Sequence, residues 1–333
     1  MRAVVITRHG GLDVLAVEQR PDPSPRPGQV RIEVRAAGVN FADTLARVGL
    51  YPDAPKPPCV VGYEVAGVIA EVGEGVDGGR VGERVMAGTN FGGYAEQVVV
   101  PAEDAIALPE RLSFKDGAAV PVVYATAWAA LYGYGSLRTG ERVLVHSAGG
   151  GVGIAVLQLA KRGGAEVHGT ASPAKHARMC ELGFDRLIDY RADRWWRGLP
   201  AYDLVVDGIG GASFKRSNAL LRPGGRLLAI GASSIQQGEK RDLRRIAPQA
   251  LRMLRGFNLI DQMSESKAFI GLNMKRLWDD RGTLASWIEP LRAFLDDGTI
   301  QPIIHAAVPF DRAAEAHRIL AARENVGKVV LVP

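Results

Sequence analysis

The hydrophobic positions of this chain change their period along its length. Up to about residue 110, apolar and polar residues alternate in short runs bounded by glycine-rich turns. Val30-Arg31-Ile32-Glu33-Val34-Arg35-Ala36 reads as a half-buried strand, and residues 65–73, 84–87 and 94–100 predict further strands. Pro21, Pro23, Pro25 and Pro27 predict a stiff, extended loop before the first of these. Near residue 113 the period lengthens. Ser113 can cap a helix running through 116–119, and a second helix is expected over 125–132. Strands at 143–146, 166–170, 186–189, 204–207 and 226–230 then alternate with helical spacing, which argues for a doubly wound parallel α/β sheet. Residues 268–272 read as a further, edge strand that a second subunit could cover, so a homodimer is expected. A helix at 313–322 and a closing strand at 328–332 end the chain.

The segment from Val143 to Gly153 carries the most chemistry. It reads as a buried strand, a glycine turn, and the first turn of a helix that continues through Ala160. A dinucleotide site needs those pieces in that order: a tight turn, backbone without Cβ that lets a pyrophosphate approach, and free N–H groups at a helix N-terminus. Ala148, Gly150 and Gly153 occupy the three spaced positions of that fingerprint, alanine replacing the first glycine, with Gly151 and Val152 between them. About 20 residues past such a turn an NAD site carries Asp or Glu for the ribose 2′-hydroxyl. This chain has Ser172, then Lys175, His176 and Arg178. No carboxylate there repels a 2′-phosphate, and hydroxyl and cationic groups can bind one, so NADPH is expected over NADH. The plain alternative makes Lys175 and Arg178 the solvated face of the next helix. Gly231, at a strand's carboxyl end, lies where open α/β sheets bind ligands.

With 333 residues, 47% of them hydrophobic, the chain can bury about two domains' worth of core. No apolar run approaches the roughly 18 residues of a membrane span, and the start, Met1-Arg2-Ala3-Val4-Val5-Ile6, reads as a strand rather than a signal peptide. Cys59 and Cys180 are too few for a disulfide framework, which suits a reducing cytoplasm. The net charge of +5 is modest. The densest basic run, Lys240-Arg241-Asp242-Leu243-Arg244-Arg245, with Arg252 and Arg255 beyond it, could attract an acidic carrier or an anionic membrane face, and reads more simply as a solvated helix. No aromatic-interleaved basic motif points to nucleic acid.

Several stretches together resemble the medium-chain dehydrogenase/reductase superfamily, in its zinc-free quinone oxidoreductase branch, and within it the VAT-1-like group. They are Gly38-Val39-Asn40-Phe41-Ala42-Asp43, Arg47-Val48-Gly49-Leu50-Tyr51-Pro52, His146 to Gly153, Gly169-Thr170-Ala171-Ser172, Lys175-His176, Ile188-Asp189-Tyr190 and Asn325-Val326-Gly327-Lys328-Val329. The resemblance covers essentially the full length. It implies a GroES-like, β-rich catalytic domain formed by residues 1–122 and 271–333, wrapped around a Rossmann domain at 123–270.

In the alcohol dehydrogenase branch of that superfamily a catalytic zinc rests on a Cys, a His and a further Cys or acidic group, three protein ligands plus an open position. The first of those positions is Asn40 here. The second, within Gly62-Tyr63-Glu64, is Tyr63, and the third region, Pro121-Val122-Val123-Tyr124, has no thiol. No bound metal is expected. Without a Lewis acid, alkoxide formation from an alcohol loses its main stabiliser. Hydride addition to an electron-poor C=C or a quinone is less demanding, because the charge delocalises to an oxygen that hydrogen-bond donors can stabilise.

The resemblance also assigns roles. Tyr51 would protonate or orient the enolate, or serve as an aromatic pocket wall. Asn40 would lie beside the nicotinamide, and Asp43 would share a helical face with it and with Arg47. Tyr63 departs from the family pattern at the old histidine position, and would supply a second phenol at the nicotinamide or merely fill the space left by the zinc. Thr126, at the start of the helix after Pro121, would bond the carboxamide, Tyr190 would approach the adenosine phosphate, and Asn325 would be a late cofactor contact. The leading expectation is a metal-free, NADPH-dependent, cytoplasmic oxidoreductase acting on a small electrophile, a quinone or an α,β-unsaturated carbonyl. Two rivals are a trans-acting enoyl-thioester reductase and a non-catalytic nucleotide-binding, membrane-associated protein.

Overall fold

The computed structural model describes residues 1–236, 238, 248 and 258–333. The basic run at 240–245, with Arg252 and Arg255, lies outside the described residues. Three sheets carry the fold. The first joins β1 (Arg2–Ile6), β2 (Leu15–Gln19) and, later in the chain, the short strand Cys59–Val60. β3 (Gln29–Val39) begins the second, seven-stranded sheet. Helix α1 (Phe41–Arg47) leaves its end, and β4 (Cys59–Val60) precedes β5 (Glu64–Val72), β6 (Arg84–Gly88), β7 (Gln97–Pro101) and β8 (Ala105–Ala107). β3 pairs antiparallel with both β5 and β7. It runs three residues beyond the alternating stretch that predicts it, because the last strand of the chain, Lys328–Val332, pairs with Ala37, Gly38 and Val39.

Helices α2 (Phe114–Gly117) and α3 (Pro121–Trp128) lead to the third sheet. Ser113 caps α2 through the Asp116 amide. α3 starts at Pro121 rather than at 125, since proline's missing N–H costs nothing in a first helical turn, and it closes in a wider π turn over Ala129–Gly133. β9 (Arg142–Val145), α4 (Gly151–Arg162), β10 (Glu166–Ala171), α5 (His176–Glu181), β11 (Arg186–Asp189), β12 (Tyr202–Asp207), α6 (Ala212–Ala219), β13 (Leu221–Ala229) and β14 (Ala268–Gly271) follow. The six strands are all parallel, in the order β11-β10-β9-β12-β13-β14. Every residue of β12 is buried, as a parallel strand covered by helices on both faces must be. β14 is the edge strand. Helix α7 (Met274–Arg281) packs on α3. β15 (Ile304–Pro309), α8 (Ala313–Ala321) and β16 (Lys328–Val332) return the chain to the second sheet. There Val329 and Val330 of β16 stand opposite Val39 and Gly38 of β3. That pairing brings the end of the chain against the loop that holds Asn40. Among the described residues no helix is long and apolar enough to cross a membrane.

His317 on α8 is fully buried with neither ring nitrogen hydrogen-bonded among the described residues, its ring edge-on to Tyr94. Burial, and then the nearby Arg47 cation, hold its pKa down at about 3 against an ordinary 6.5. Between these values the unfolded chain binds the proton and the native one does not, so this stability is whole above the ordinary value and is lost as pH falls. At pH 5 the loss is about 2 kcal/mol. His317→Leu should therefore shrink the difference in Tm between pH 7.5 and pH 5 by a few degrees relative to the wild type. An unchanged difference would assign the acid sensitivity elsewhere.

Candidate functional site

The glycine turn forms a cradle at the carboxyl end of the parallel sheet. Gly150 precedes the twelve residues of α4, and no side chain caps it, so the first helical turn offers backbone N–H groups that no side chain takes up. A Cβ at Gly153 would stand 2.5 Å from the Ala148 carbonyl oxygen, which is why the turn closes only on glycine there. Ala148 donates its N–H to the Thr170 carbonyl at 3.1 Å and ties the turn to β10. Behind it His146, buried, contacts the hydroxyls of Thr170 and Ser217, both at 3.0 Å. A cradle with backbone this bare and a helix dipole behind it fits a pyrophosphate.

One end of the cradle is cationic. Ser172 follows β10, and β11 runs alongside with Asp189 opposite Ala171, which sets Tyr190 beside Ser172. Lys175 extends its ammonium to the Asn325 carbonyl at 2.5 Å, and its stem lies 3.4 Å from where a Gly149 Cβ would be. Burial, then Arg323 and Arg191, lower the Lys175 pKa. Lys175 thus lies within electrostatic reach of Arg191 and Arg323, and Arg191 rests over the half-exposed Tyr190 ring. The Asn325 amide donates to the Gly327 carbonyl at 2.7 Å, and the Gly327 N–H donates to the Gly149 carbonyl at 2.8 Å. The segment 325–328 is therefore a strap across the glycine turn. Gly231 lies beyond β13, with Gly208 of the neighbouring strand end as its closest approach.

At the other end stands Asn40. Its side-chain N–H donates to Glu64 Oε1 at 2.9 Å, and its carbonyl oxygen accepts from the Lys328 ammonium at 2.5 Å. Asp43 accepts from the Asn40 N–H (2.8 Å), the Gly62 N–H (3.2 Å) and the Tyr94 hydroxyl (2.8 Å) and has no exposed surface. Desolvation lifts its pKa to about 6. Asp43, a catalytic candidate from the sequence, has both oxygens engaged here and pins the Asn40 and Gly62 loops together. Arg47, expected on the same helical face, directs one guanidinium nitrogen to the Gly10 carbonyl. Thr126 sits in the interior of α3 rather than at its start, and its hydroxyl donates to the Val122 carbonyl one turn back at 2.7 Å. Its oxygen keeps only its accepting capacity.

Tyr51, Tyr63 and Phe91 form an aromatic wall beyond Asn40. The Tyr51 and Tyr63 rings meet edge to face at 6.2 Å, and Tyr63 packs on Phe91 at 4.8 Å. Tyr51 is half-buried, and burial raises its pKa above the ordinary phenol value, which keeps it protonated and able to donate. Tyr63 is buried and raised further, for the same reason. The loop that carries Tyr51 is tethered to α7 by the Arg276–Asp53 ion pair at 2.8 Å.

The donors at Asn40 do not fit zinc. The amide oxygen and the Glu64 carboxylate already share the Lys328 ammonium, and the neighbouring Tyr63 is a protonated phenol. Among the described residues no three His, Cys, Asp or Glu side chains group at metal spacing. Reading the sequence missed Glu64 and Lys328 as site residues. The one signal was that Lys328 falls in the stretch 325–329 that carries the resemblance, and that Glu64 directly follows Tyr63 at a former metal position. Their meeting at Asn40, 288 positions from Lys328, depends on the β3–β16 pairing.

Comparison with known proteins gives matches along the chain. The family model of the alcohol dehydrogenase GroES-like domain matches residues 26–110, and that of zinc-binding dehydrogenases matches residues 182–331. The synaptic vesicle membrane protein VAT-1 homolog of Rattus norvegicus is 36% identical over all of this chain and 84% of its own length. The CurK enoyl reductase structure superposes with a TM-score of 0.85 at 26% identity, covering 99% of this chain and 98% of its own. A mycobacterial protein complexed with NADPH superposes with a TM-score of 0.84 at 30% identity, with full coverage of both chains.

Proposed function

The chain belongs to the medium-chain dehydrogenase/reductase superfamily, in its VAT-1-like group, and from that premise we propose that it is an NADPH-dependent, zinc-independent reductase of quinones or α,β-unsaturated carbonyls. The membership makes it an oxidoreductase with a nicotinamide-nucleotide fold. The observation that carries the finer reading is the pairing of a fixed amide donor, Asn40, with a protonated half-buried phenol, Tyr51, where the Lys328 ammonium occupies the oxygens of Asn40 and Glu64. The proposed division into a catalytic domain of residues 1–122 and 271–333 and a dinucleotide domain at 123–270 puts the pocket between the glycine turn and that amide. A homodimer formed along the β14 edge belongs to the same reading.

A dinucleotide, when bound, supplies the hydride. The N–H groups of Gly151, Val152 and Gly153 would hold its pyrophosphate, and Lys175, with Ser172 and Tyr190 beside it, would hold the 2′-phosphate. Asn40 donates its remaining N–H to the carbonyl oxygen of the acceptor as charge develops there. Tyr51 gives its hydroxyl proton to the enolate formed from an enone, and water restores it. For a quinone both protons can come from water.

Oxidation of NADPH against a panel of quinones, enones and enoyl thioesters tests the reading. Turnover of the first two classes is expected. Turnover confined to thioesters, with strong salt dependence, would point to a carrier-bound substrate, and binding without turnover on any acceptor would overturn the catalytic reading. Elemental analysis of the purified protein should find no stoichiometric zinc, and chelators should leave the activity unchanged. About one zinc per chain would sink the metal-free mechanism.

A further inference from the structure

Glu64 and Lys328 form an ion pair in the interior, their side chains 0% and 5% exposed, with the ammonium 2.5 Å from Glu64 Oε1. The second carboxylate oxygen, Oε2, accepts the Val122 N–H at 2.8 Å. The surroundings are built to keep the pair there. A Cβ at Gly38 would stand 2.7 Å from Glu64 Oε1, and one at Gly327 would stand 2.1 Å from the Ile303 carbonyl oxygen, where the strap turns with φ of +94°. The stem of Lys328 passes 3.4 Å from where a Gly151 Cβ would be.

A buried ion pair returns little stability once desolvation is counted, so its retention calls for another reason. Asn40 supplies one. A carboxamide can turn over and exchange its oxygen for its NH2 with almost no change of shape. Glu64 can only accept and Lys328 can only donate. Turning the amide over would set acceptor against acceptor and donor against donor, so one orientation survives. It uses the oxygen and one N–H, and leaves the second N–H of the amide with no partner among the described residues.

We propose that Glu64 and Lys328 are positioning residues that lock the Asn40 carboxamide in one orientation and present its second N–H as a fixed donor to the reacting carbonyl. The role toward the carbonyl rests on the reductase reading above, whereas the lock itself belongs to the protein without ligand.

The test uses the double variant Glu64→Gln/Lys328→Met, which removes both charges at once and leaves no buried charge alone. With asparagine labelled by nitrogen-15, and the Asn40 signal identified by its loss in Asn40→Ala, the side-chain proton facing Glu64 should exchange with solvent at least about ten-fold faster in the double variant, as expected for loss of a charge-assisted hydrogen bond. Unchanged protection would overturn the lock, whatever the enzyme turns over. Lys328→Arg, which keeps a donor and a charge at the same place, should retain most of the protection, and so decides the matter if the double variant unfolds. In turnover, kcat should fall about ten- to a hundred-fold with the dinucleotide affinity near wild type, the range for one oriented donor. Adding the double change to Asn40→Ala should cost no more than about two-fold further, because the pair acts through that amide. Multiplying losses would overturn the positioning role. A wild type that reduces no acceptor would remove the reductase reading but leave the exchange result to decide the lock.

Discussion

Replacing Tyr51 by phenylalanine should lower the maximal rate of enone reduction about ten- to a thousand-fold, the range of a single proton donor or oxyanion partner. The change keeps the ring that meets Tyr63 and removes only a hydroxyl at a half-buried position, so packing and stability should move little. Dinucleotide affinity should be unchanged, because the phenol lies on the aromatic wall rather than at the glycine cradle. Quinones should suffer less than enones, since a reduced quinone can take both protons from water. Parallel initial-rate measurements on one enone and one quinone check this. An enone rate equal to the wild type would make Tyr51 a wall and leave Tyr63 or water as the donor. Burial keeps Tyr51 protonated above the ordinary phenol range, so its loss should matter equally at pH 6 and pH 8.

Replacing Lys175 by alanine should weaken NADPH binding by at least about ten-fold and leave NADH binding unchanged, because a charge-assisted phosphate contact is worth about 1.5–3 kcal/mol and about 1.4 kcal/mol is ten-fold. In the wild type the same contact should make NADPH bind at least about ten-fold tighter than NADH. The ammonium is held by the Asn325 carbonyl near two guanidinium groups, Arg323 and Arg191, and burial, then their mutual repulsion, lowers its pKa. A dianionic phosphate placed among them relieves that repulsion. Fluorescence titration with both dinucleotides measures the effect. Equal affinities in the wild type, or unchanged NADPH affinity in the variant, would remove Lys175 as the selector.

What could be read from the sequence was local. The order of strand, glycine turn and helix from Val143 to Ala160 follows from residues within a few positions of one another: an apolar run, then backbone that must lack Cβ, then helical spacing. The same holds for the Ser113 cap and for the alternating strand at 30–36. Asn40 and Tyr63 in place of metal ligands were visible as residue types, and the resemblance carried Tyr51. The tertiary structure decided how these residues are used. Asp43 was a candidate as a charged residue three positions from Asn40, and the fold buries it and engages both oxygens with Asn40, Gly62 and Tyr94. Thr126 looked available, yet α3 begins four residues earlier than its periodicity suggests, and the hydroxyl falls back on the Val122 carbonyl. Glu64 and Lys328 met at Asn40 only because β16 pairs with β3 in a register that puts Val329 opposite Val39. Backbone restrictions and hydrophobic period act between near neighbours and so are written along the chain. Which charges are desolvated, and which partners they find, depends on sheet register and on burial, and these exist only once distant segments have packed together.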